Sequence, residues 1–489
     1  MGIFINKYKK DVHLLFIGKY KITAIAILLI TFFGRCSKLV DVRPPITGTP
    51  SSLIYSTDAN AIGVMNGLYT QMSQDGVNTS LTSITICGGL SADELILFKD
   101  VNDPILLSYN NNSLTSNITG PFDFWSNTYS NYIFTANSVI EGLRQSSGLT
   151  PSVKKQLTGE ALFIRAFAYF YLVNLYGDVP LVLNTDPALN SNIPRTASSK
   201  IYEQIVDDLK QARDSLNDNY LDASLLNPTT ERIVPNKYAA MALLSRVYLY
   251  TQKWSLVEAE SSEILANASL YDTVPLADVF LLNSKEVIWQ LQSVSNSLSN
   301  TSDAYIFILP ITGPNISPNR FYMSESLVAT FEDGDNRRNR WIDSVVVGGS
   351  VFHFPVKYKV NELFAPTTER SVVFRIAEQY LNRAEARAEL GNYEGSLADL
   401  NIIRKRAGLE ATVYTSKEQL LIDILHERNV ELFTEWGHRW LDLKRTGLAD
   451  DVLTVVKGAD WQSNDKLYPI PLSEILKNPS LPGHQNPGY

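Results

Sequence analysis

Residues 159–182 read GEALFIRAFAYFYLVNLYGDVPLV and carry the strongest helical pattern in the chain. Apolar side chains recur there at the spacing of one helix face, which predicts a helix over residues 152–176. That face consists of Phe163, Ala166, Phe167, Phe170 and Val173. Gly177 follows as a left-handed cap, and Pro180 prevents the helix from continuing. A long buried helix is therefore expected at the centre of the fold.

Similar apolar spacing predicts further helices on both sides of this one. The predicted bounds are Asn60–Met72, Trp125–Arg144, Ile201–Leu216, Tyr238–Tyr250, Ser255–Ala266, Val373–Leu390, Gly395–Ala407 and Lys417–Phe433. The pairs within 238–266 and 373–407 resemble tetratricopeptide units, because small and aromatic residues flank a tight turn in each. The two turns are not separated by a multiple of the repeat length. We therefore expect a helical scaffold with large insertions.

The segments between these helices are less regular. Residues 87–123 are rich in Asn, Ser, Thr and Gly and are expected to form a long structured loop region. Residues 273–372 contain short strand candidates, Val287–Leu291 and Tyr305–Leu309. The tail from Leu467 is rich in proline and irregular. The predicted fold class is mainly α, with tetratricopeptide-like helix pairs beside an irregular, loop-rich lobe that holds a few short strands.

The amino terminus has the features of an export signal. A lysine-rich leader precedes an apolar run from Ile22 to Gly34, and a basic start with an apolar core of about 7–15 residues is typical of a secretory signal peptide. Cys36 stands at the end of the run, where a bacterial lipoprotein is acylated and cleaved; its acyl chains would anchor it stably. Arg35 departs from this pattern, which places a small residue before the Cys. An ordinary cleaved signal is the alternative.

Composition excludes several classes of protein. The 489 residues include 43 Lys and Arg against 51 Asp and Glu, for a formal charge of −8. Nucleic-acid binding needs a cationic surface, and the basic leader is the most cationic part of the chain. The cysteines are Cys36 and Cys87, so a lipidated Cys36 leaves no intrachain disulfide. Beyond the leader, no apolar stretch reaches the length of about 20 residues that spans a bilayer.

A metal or catalytic site finds little support. Glu427, Glu431, Glu435 and His438 have a spacing used by di-iron helical bundles, but a second Glu-x-x-His is missing. We expect these carboxylates to pair instead with Arg428, Arg439, Lys444 and Arg445. No His lies in a nucleophile-elbow or zinc-protease motif. The prediction is a protein that is not an enzyme and has no metal and no cofactor.

Aromatic residues in polar segments are a better indication of function. Sugars stack their C–H faces on aromatic rings, while amides and carboxylates bond the hydroxyls. Two segments, 93–125 and 293–322, combine these residue types. The predicted ligand-binding residues are Asp93, Tyr109, Asn110, Trp125, Asn296, Asn300, Tyr305, Arg320 and Tyr322. The alternative for any one of these rings, and above all for Trp125, is a packing role.

Six stretches, in order, resemble the SusD/RagB family of outer-membrane nutrient-binding lipoproteins of Bacteroidota. Besides the opening stretch they are CSKLVDVRPP (36–45), ALLSRVYLYTQKWSLVEAE (242–260), AEQYLNRAEARAELGNYEGSLADLNIIRKRAG (377–408), ERNVELFTEWGHRWLDLKRTG (427–447) and YPIPLSEILKNPSLPGHQNPGY (468–489). One stretch alone would be weak, but six in the family's order are specific. The resemblance is weakest over 273–372, where family members differ in ligand.

The resemblance implies a SusD-like fold and a division of the chain. Residues 1–35 would be the signal peptide, 36–57 a lipidated extended tether, and 58–489 the SusD-like domain. Within that domain we expect an N-terminal part (about 58–272), a variable lobe (about 273–372) and a C-terminal helical part (about 373–489). The implied function is capture of a glycan or oligosaccharide at the cell surface, at the outer membrane.

The implied partner is a SusC-like TonB-dependent β-barrel transporter, which the lipoprotein covers as a lid. Two alternatives remain for the ligand. The chain could capture peptides for the same type of importer, or serve as a structural lid without a tightly bound ligand.

Overall fold

The computed structural model describes residues 54–74, 83–117, 124–295 and 297–489. The predicted signal peptide, Cys36, most of the tether and Asn296 lie outside the described residues. From Tyr55 to Tyr489 the chain packs as one unit. None of its described helices combines the length and apolarity needed to cross a bilayer. Cys87 is buried and forms no disulfide.

Helices dominate the described part of the chain, and the strands are short. The α-helices are α1 (Asp58–Gln74), α2 (Ile84–Ser91), α3 (Pro104–Asn110), α4 (Phe124–Asn127), α5 (Phe134–Gln145), α6 (Pro151–Tyr176), α7 (Pro187–Asn190), α8 (Ser198–Ser215), α9 (Lys237–Tyr250), α10 (Trp254–Ala266), α11 (Ser302–Phe307), α12 (Glu325–Ala329), α13 (Asn336–Arg340), α14 (Ile376–Glu389), α15 (Tyr393–Arg406), α16 (Lys417–Leu432), α17 (His438–Arg445), α18 (Ala449–Lys457) and α19 (Leu472–Lys477). A π-helical segment, Thr128–Ile133, joins α4 to α5. The strands are β1 (Leu95–Leu97), β2 (Val179–Pro180), β3 (Arg195–Thr196), β4 (Val287–Leu291), β5 (Phe321–Met323), β6 (Ile342–Val347), β7 (Ser350–Pro355) and β8 (Ser371–Arg375).

The scaffold is a row of helices that pack one on the next. Along this row α5 contacts α6, α6 contacts α8, α8 contacts α9, and α9 contacts α10. Helix α10 then contacts α14, which packs on α15 and α16. Small residues allow these close approaches: Ser245 and Ser261 share a hydrogen bond of 2.8 Å between α9 and α10, and Ser396 Oγ donates to the carbonyl of Ala384 at 2.7 Å. The mainly α prediction with two tetratricopeptide-like pairs is confirmed.

Helix α6 lies at the centre, as predicted, but it is buried on more than one face. Aromatic and polar side chains outside the predicted apolar face are buried as well, among them Tyr169 and Tyr171. Arg165 is accommodated because its guanidinium donates to both oxygens of Asp208 on α8, at 2.6 and 2.7 Å. Gly177 ends the helix with φ +72° and ψ −126°, a positive-φ conformation that lies outside the left-handed helical region.

Three local predictions were wrong, and capping explains two of them. Residues 87–123 are not simply a loop: α3 begins at Pro104 because Asp103 Oδ1 accepts the N–H groups of the first turn at 3.0 and 3.3 Å. The predicted strand Tyr305–Leu309 falls mostly in α11, whose N-cap Thr301 accepts the N–H of Ala304. The predicted helix from Val373 begins only at Ile376, because strand β8 pairs with β4 up to Arg375.

The sheets in the described residues are antiparallel strand pairs: β1 with β5, β2 with β3, β4 with β8, and β6 with β7. The prediction of β4 is confirmed, and all five of its residues are buried. Pairing of β1 with β5 joins the 93–125 region to the 293–322 region. The two predicted ligand segments therefore do meet in space.

Candidate ligand-binding site

Three of the predicted ligand residues are engaged within the fold. Asp93 accepts two hydrogen bonds from the guanidinium of Arg439, both of 2.8 Å. Tyr109 is only 8% exposed, and its ring meets that of Tyr468 edge-on with centroids 5.3 Å apart. Asn110 Oδ1 accepts a backbone N–H of β1 at 3.1 Å. Packing explains these contacts, and a part in ligand binding stays a prediction for all three.

Three more predicted residues lie on the lobe around β5. Arg320 Nη1 is 3.2 Å from Asp103 Oδ2, so this partly exposed cation already has a carboxylate partner. Tyr322 meets the ring of Phe352 edge-on, with centroids 5.1 Å apart. Tyr305 is half-buried on α11. These side chains shape the lobe, and no cavity described below is lined by them.

A serine-rich cavity of about 210 Å³, here called the serine cavity, opens where β4 ends beside the last turn of α1. Its lining includes Ser73, Ser293, Ser295, Asn300, Thr301 and Ser302. None of the described residues that line it carries a charge. The hydroxyl of Ser302 is buried and has no hydrogen-bond partner among the described residues. This cavity therefore offers hydroxyls to a neutral, polar ligand.

Asn300, a predicted ligand residue, holds the neighbouring loop against the serine cavity. Its Oδ1 accepts the N–H groups of Thr368 and Glu369 at 2.9 and 3.0 Å, and its Nδ2 donates to the carbonyl of Pro366 at 3.0 Å. These three hydrogen bonds fix the side chain against the loop, which indicates a positioning role. The segment that it positions, residues 361–368, carries the most exposed aromatic ring of the lobe.

That ring belongs to Phe364, which is 74% exposed and has φ +62°. A bulky residue in the left-handed region is strained, and such strain is concentrated at functional sites. The Phe364 N–H donates to the carbonyl of Ser297 at 2.7 Å. Ser297 directly precedes Leu298, which lines the serine cavity. Sequence reasoning missed Phe364. The available signal was the apolar pair Leu363-Phe364, which stands shortly before Pro366 in a polar segment.

The remaining predicted residue with described coordinates, Trp125, is 2% exposed. Its ring lies 5.4 Å from that of Tyr129 and 5.1 Å from that of Tyr176, measured between centroids. The expected packing role is therefore observed. Its edge nevertheless lines a second, larger groove, which shares no lining residue with the serine cavity.

The carboxylates that suggested a metal form an ion-pair network instead. Arg337 Nη1 bonds Glu427 at 2.6 Å and Glu431 at 2.9 Å, and Arg375 Nε bonds Glu435 at 2.8 Å. Ion pairing of these carboxylates was expected, but the predicted partners were wrong. Helix α16 ends at Leu432, so its buried carboxylates meet α13 and β8 instead of residues that follow in the chain. Burial favours a raised pKa for Glu431, yet the surrounding guanidinium groups hold that pKa well below its ordinary value.

The predicted partners Arg428, Arg439 and Arg445 bind other acids. Arg428 and Arg445 both reach Asp442, at 2.8 and 2.6 Å, and Arg439 binds Asp93 as described above. Lys444 donates to the carbonyl of Asn174. Within the described ranges, no group of three or more His, Cys, Asp or Glu side chains could hold a metal ion.

Glu94 follows Asp93 in the chain and is buried without an ion-pair partner among the described residues. Its Oε1 accepts the N–H of Thr434 at 3.1 Å, in the turn between α16 and α17. Burial raises the pKa of Glu94 from 4.5 to about 8, despite that hydrogen bond and the charge of Arg439. Between pH 4.5 and about 8 the folded state therefore keeps the Glu94 proton, whereas the unfolded chain releases it.

A Glu94→Gln variant should therefore be less sensitive to alkaline pH than the wild type. Because the folded pKa lies above the unfolded one, the Glu94 contribution to stability is lost as pH rises from about 4.5 to 8. At pH 8 the variant should be more stable by about 1–3 kcal/mol, with little difference at pH 4.5. Urea unfolding at both pH values measures this. The exposed Glu362→Gln is the control, and equal pH slopes for wild type and Glu94→Gln would contradict the prediction.

Comparison with known proteins identifies the fold family. The profile described as "Starch-binding associating with outer membrane" matches residues 65–249, and the SusD family profile matches residues 354–489. SusD-like protein P2 of Formosa agariphila is 27% identical over 529 aligned residues, which cover 96% of this chain and 100% of that protein. The stretch Ser293–Ser302 of the serine cavity lies between the two matched regions.

Solved structures share the architecture along most of the chain. A laminarin-binding SusD-like protein superposes with a TM-score of 0.74 at 24% identity, covering 89% of this chain and 100% of that one. Surface glycan-binding protein A of Bacteroides fluxus gives a TM-score of 0.72 at 22% identity, covering 89% and 100%. The SusD-like fold expected from the sequence is thereby confirmed. On these matches and on its fold, the chain belongs to the SusD/RagB family.

Proposed function

We propose that this protein captures a neutral glycan at the cell surface and delivers it to a TonB-dependent transporter, anchored by lipid on Cys36. The observation that carries the proposal is an exposed aromatic ring, Phe364, whose backbone bonds Ser297 beside the lining residue Leu298 of the uncharged serine cavity. A ring can stack on the C–H face of a sugar, and serine and threonine hydroxyls can exchange hydrogen bonds with its hydroxyl groups. The binding site performs no chemistry.

The lining favours a sugar over a peptide. A peptide-binding site commonly pairs with the ligand backbone along a strand edge or complements its charges. Strand β4 pairs with β8, and the N–H of Gln290 on β4 donates to the carbonyl of Arg232. No charge lines the serine cavity among the described residues. Two structural relatives are named for binding laminarin and surface glycan. These names and the lining point to the same class of ligand.

The proposed lipid anchor is supported by the leader sequence, and the proposed transporter partner is supported by family membership. Mass spectrometry of the mature protein should find a diacylated cysteine at position 36, and a free N-terminal residue elsewhere would remove the anchor from the proposal. Copurification from detergent-solubilised outer membranes should recover a β-barrel protein. Incubation with a retained glycan over hours should give no cleavage products.

Phe364→Ala should weaken glycan binding by about tenfold without lowering stability, since one stacking contact is lost and the ring is mostly in solvent. The measurement is affinity electrophoresis through native gels that contain laminarin and other neutral polysaccharides. Val413→Ala, which truncates another exposed apolar side chain, is the matched control. Ser302→Ala tests the cavity itself. Unchanged retention of both site variants would exclude this cavity, and binding only to a peptide library would favour the peptide alternative.

A further inference from the structure

A second groove lies between the segment Phe124–Phe134, where α4 leads into α5, and the C-terminal helix α19. Its volume is about 520 Å³, within the range of about 300–1,000 Å³ that is typical of small-molecule sites. The rings of Trp125, Tyr129 and Phe134 form one wall, and Glu474 and Lys477 stand on the other. Neither the fold nor the proposed function explains why this concave surface remains open.

The aromatic wall combines a rigid base with an exposed face. Trp125 is 2% exposed, and Tyr129 is fixed because its hydroxyl donates to the carbonyl of Pro180 at 2.6 Å. Phe134, in contrast, is 51% exposed although it lines the groove. Burying an exposed ring is favourable, so a ligand with an apolar face would gain from contact with Phe134.

The wall is built on a π-helical segment, Thr128–Ile133. A π turn inside a helix is rare and is found frequently at functional sites. Here it spans the stretch between Trp125 and Phe134, and it carries Tyr129 and the exposed Ser130 into the groove lining. The irregular turn therefore coincides with the open surface, which a regular packing helix would not require.

The polar side of the groove is balanced in charge. Lys477 Nζ is 2.7 Å from Glu474 Oε1, which also accepts the hydroxyl of Ser126 at 3.0 Å. Asn190 Oδ1 is a buried acceptor that lacks a donor among the described residues. These groups suit a ligand that has hydroxyls but no net charge, because a charged ligand would have to break the Lys477–Glu474 pair.

A peptide segment fits less well, since the backbone groups at the groove are occupied. The carbonyl of Pro180 accepts the hydroxyl of Tyr129. The N–H of Val182 donates to Tyr169 Oη at 2.7 Å, and the Val182 carbonyl accepts Asn137 Nδ2 at 3.1 Å. These backbone groups of Pro180 and Val182 are therefore not available for β-augmentation. Recognition must come from side chains.

We propose that this groove is a second saccharide-binding site, which holds a neutral sugar unit stacked on Phe134 with its hydroxyls bonded by Ser130 and the polar wall. The groove shares no lining residue with the serine cavity, so a glycan long enough to reach both would engage two independent sites. Two weak sites on one chain raise the effective affinity for a polymer through local concentration. Short oligosaccharides that reach only one site would not gain in this way.

The test compares Phe134→Ala, Phe364→Ala, the double variant and the wild type in native gels with a panel of neutral polysaccharides, laminarin included. For at least one polysaccharide, Phe134→Ala should raise the apparent Kd by about tenfold, and the double variant should bind more weakly than either single variant. Val455→Ala, which is 83% exposed on another helix, is the control. Ser130→Trp, which fills the groove from an exposed position, should reproduce the loss if Phe134→Ala proves unstable.

The outcomes separate the two proposals. If Phe134→Ala and Ser130→Trp bind every polysaccharide in the panel as well as Val455→Ala does, the second site is overturned. The proposed function would then depend on the serine cavity alone. A wild-type protein that no polysaccharide retains would overturn both proposals. Loss on Phe134→Ala with no loss on Phe364→Ala would support this groove and move the glycan site away from the serine cavity.

Discussion

Replacement of Arg375 by methionine is expected to lower the free energy of unfolding by about 3–5 kcal/mol, because a buried ion-pair network then loses its central cation. Arg375 is 1% exposed and donates to Glu435 at 2.8 and 2.9 Å and to the carbonyl of Glu431 at 2.8 Å. It also lies 3.3 Å from Glu286. Methionine fills similar space, so the loss reports uncompensated charge rather than a cavity.

The control is Arg340→Met, which removes an exposed guanidinium and should change stability by less than about 0.5 kcal/mol. Urea unfolding at pH 7 gives both values. Glu435 keeps its ion pair with the buried Lys357 in the Arg375→Met variant. Adding Glu435→Gln should therefore lower stability further, because it leaves that ammonium group without its carboxylate partner. Equal stabilities of Arg375→Met and Arg340→Met would show that the network contributes little to the fold.

Hydrophobic periodicity predicted the long helices well, because the spacing of apolar residues within each segment determines which helix face is buried. Helix α6 and the pairs α9–α10 and α14–α15 were found within a few residues of their expected ends. Segments whose structure depends on distant partners were less predictable. Residues 305–309 have strand-like composition but follow a Thr cap, and Ser371–Arg375 has a partner, β4, some eighty residues earlier in the chain.

The candidate site was predicted by region rather than by residue. The search for aromatic residues in polar segments selected Tyr109 and Trp125, because sequence alone does not show which ring faces solvent. Both are buried. The search missed Phe364, which is exposed only because Asn300 and Ser297 hold its loop outward with φ +62°. Likewise, ion pairing of Glu427, Glu431 and Glu435 was expected, but their partners come from elements up to 94 residues away in the chain, such as Arg337 with Glu431.

Trp289→Ala should remove about 3–5 kcal/mol of stability, since it empties the space of a large buried ring. Trp289 is fully buried on β4; its ring lies 5.1 Å from that of Phe163 and 6.2 Å from that of Phe374, and its Nε1 donates to the carbonyl of Ile233 at 3.0 Å. Trp289→Phe keeps an aromatic ring and should cost about half as much. Equilibrium unfolding in guanidinium chloride measures both variants.

This variant should also weaken glycan retention, for a different reason from Phe364→Ala. Strand β4 leads into the serine cavity through Leu291, and Ser73 Oγ ties the next residue, Gln292, to α1 at 2.6 Å. Loosening β4 should therefore disturb the cavity, so stability and retention fall together. In Phe364→Ala only retention should fall. Retention that survives in Trp289→Ala at full strength would show that β4 does not position the site.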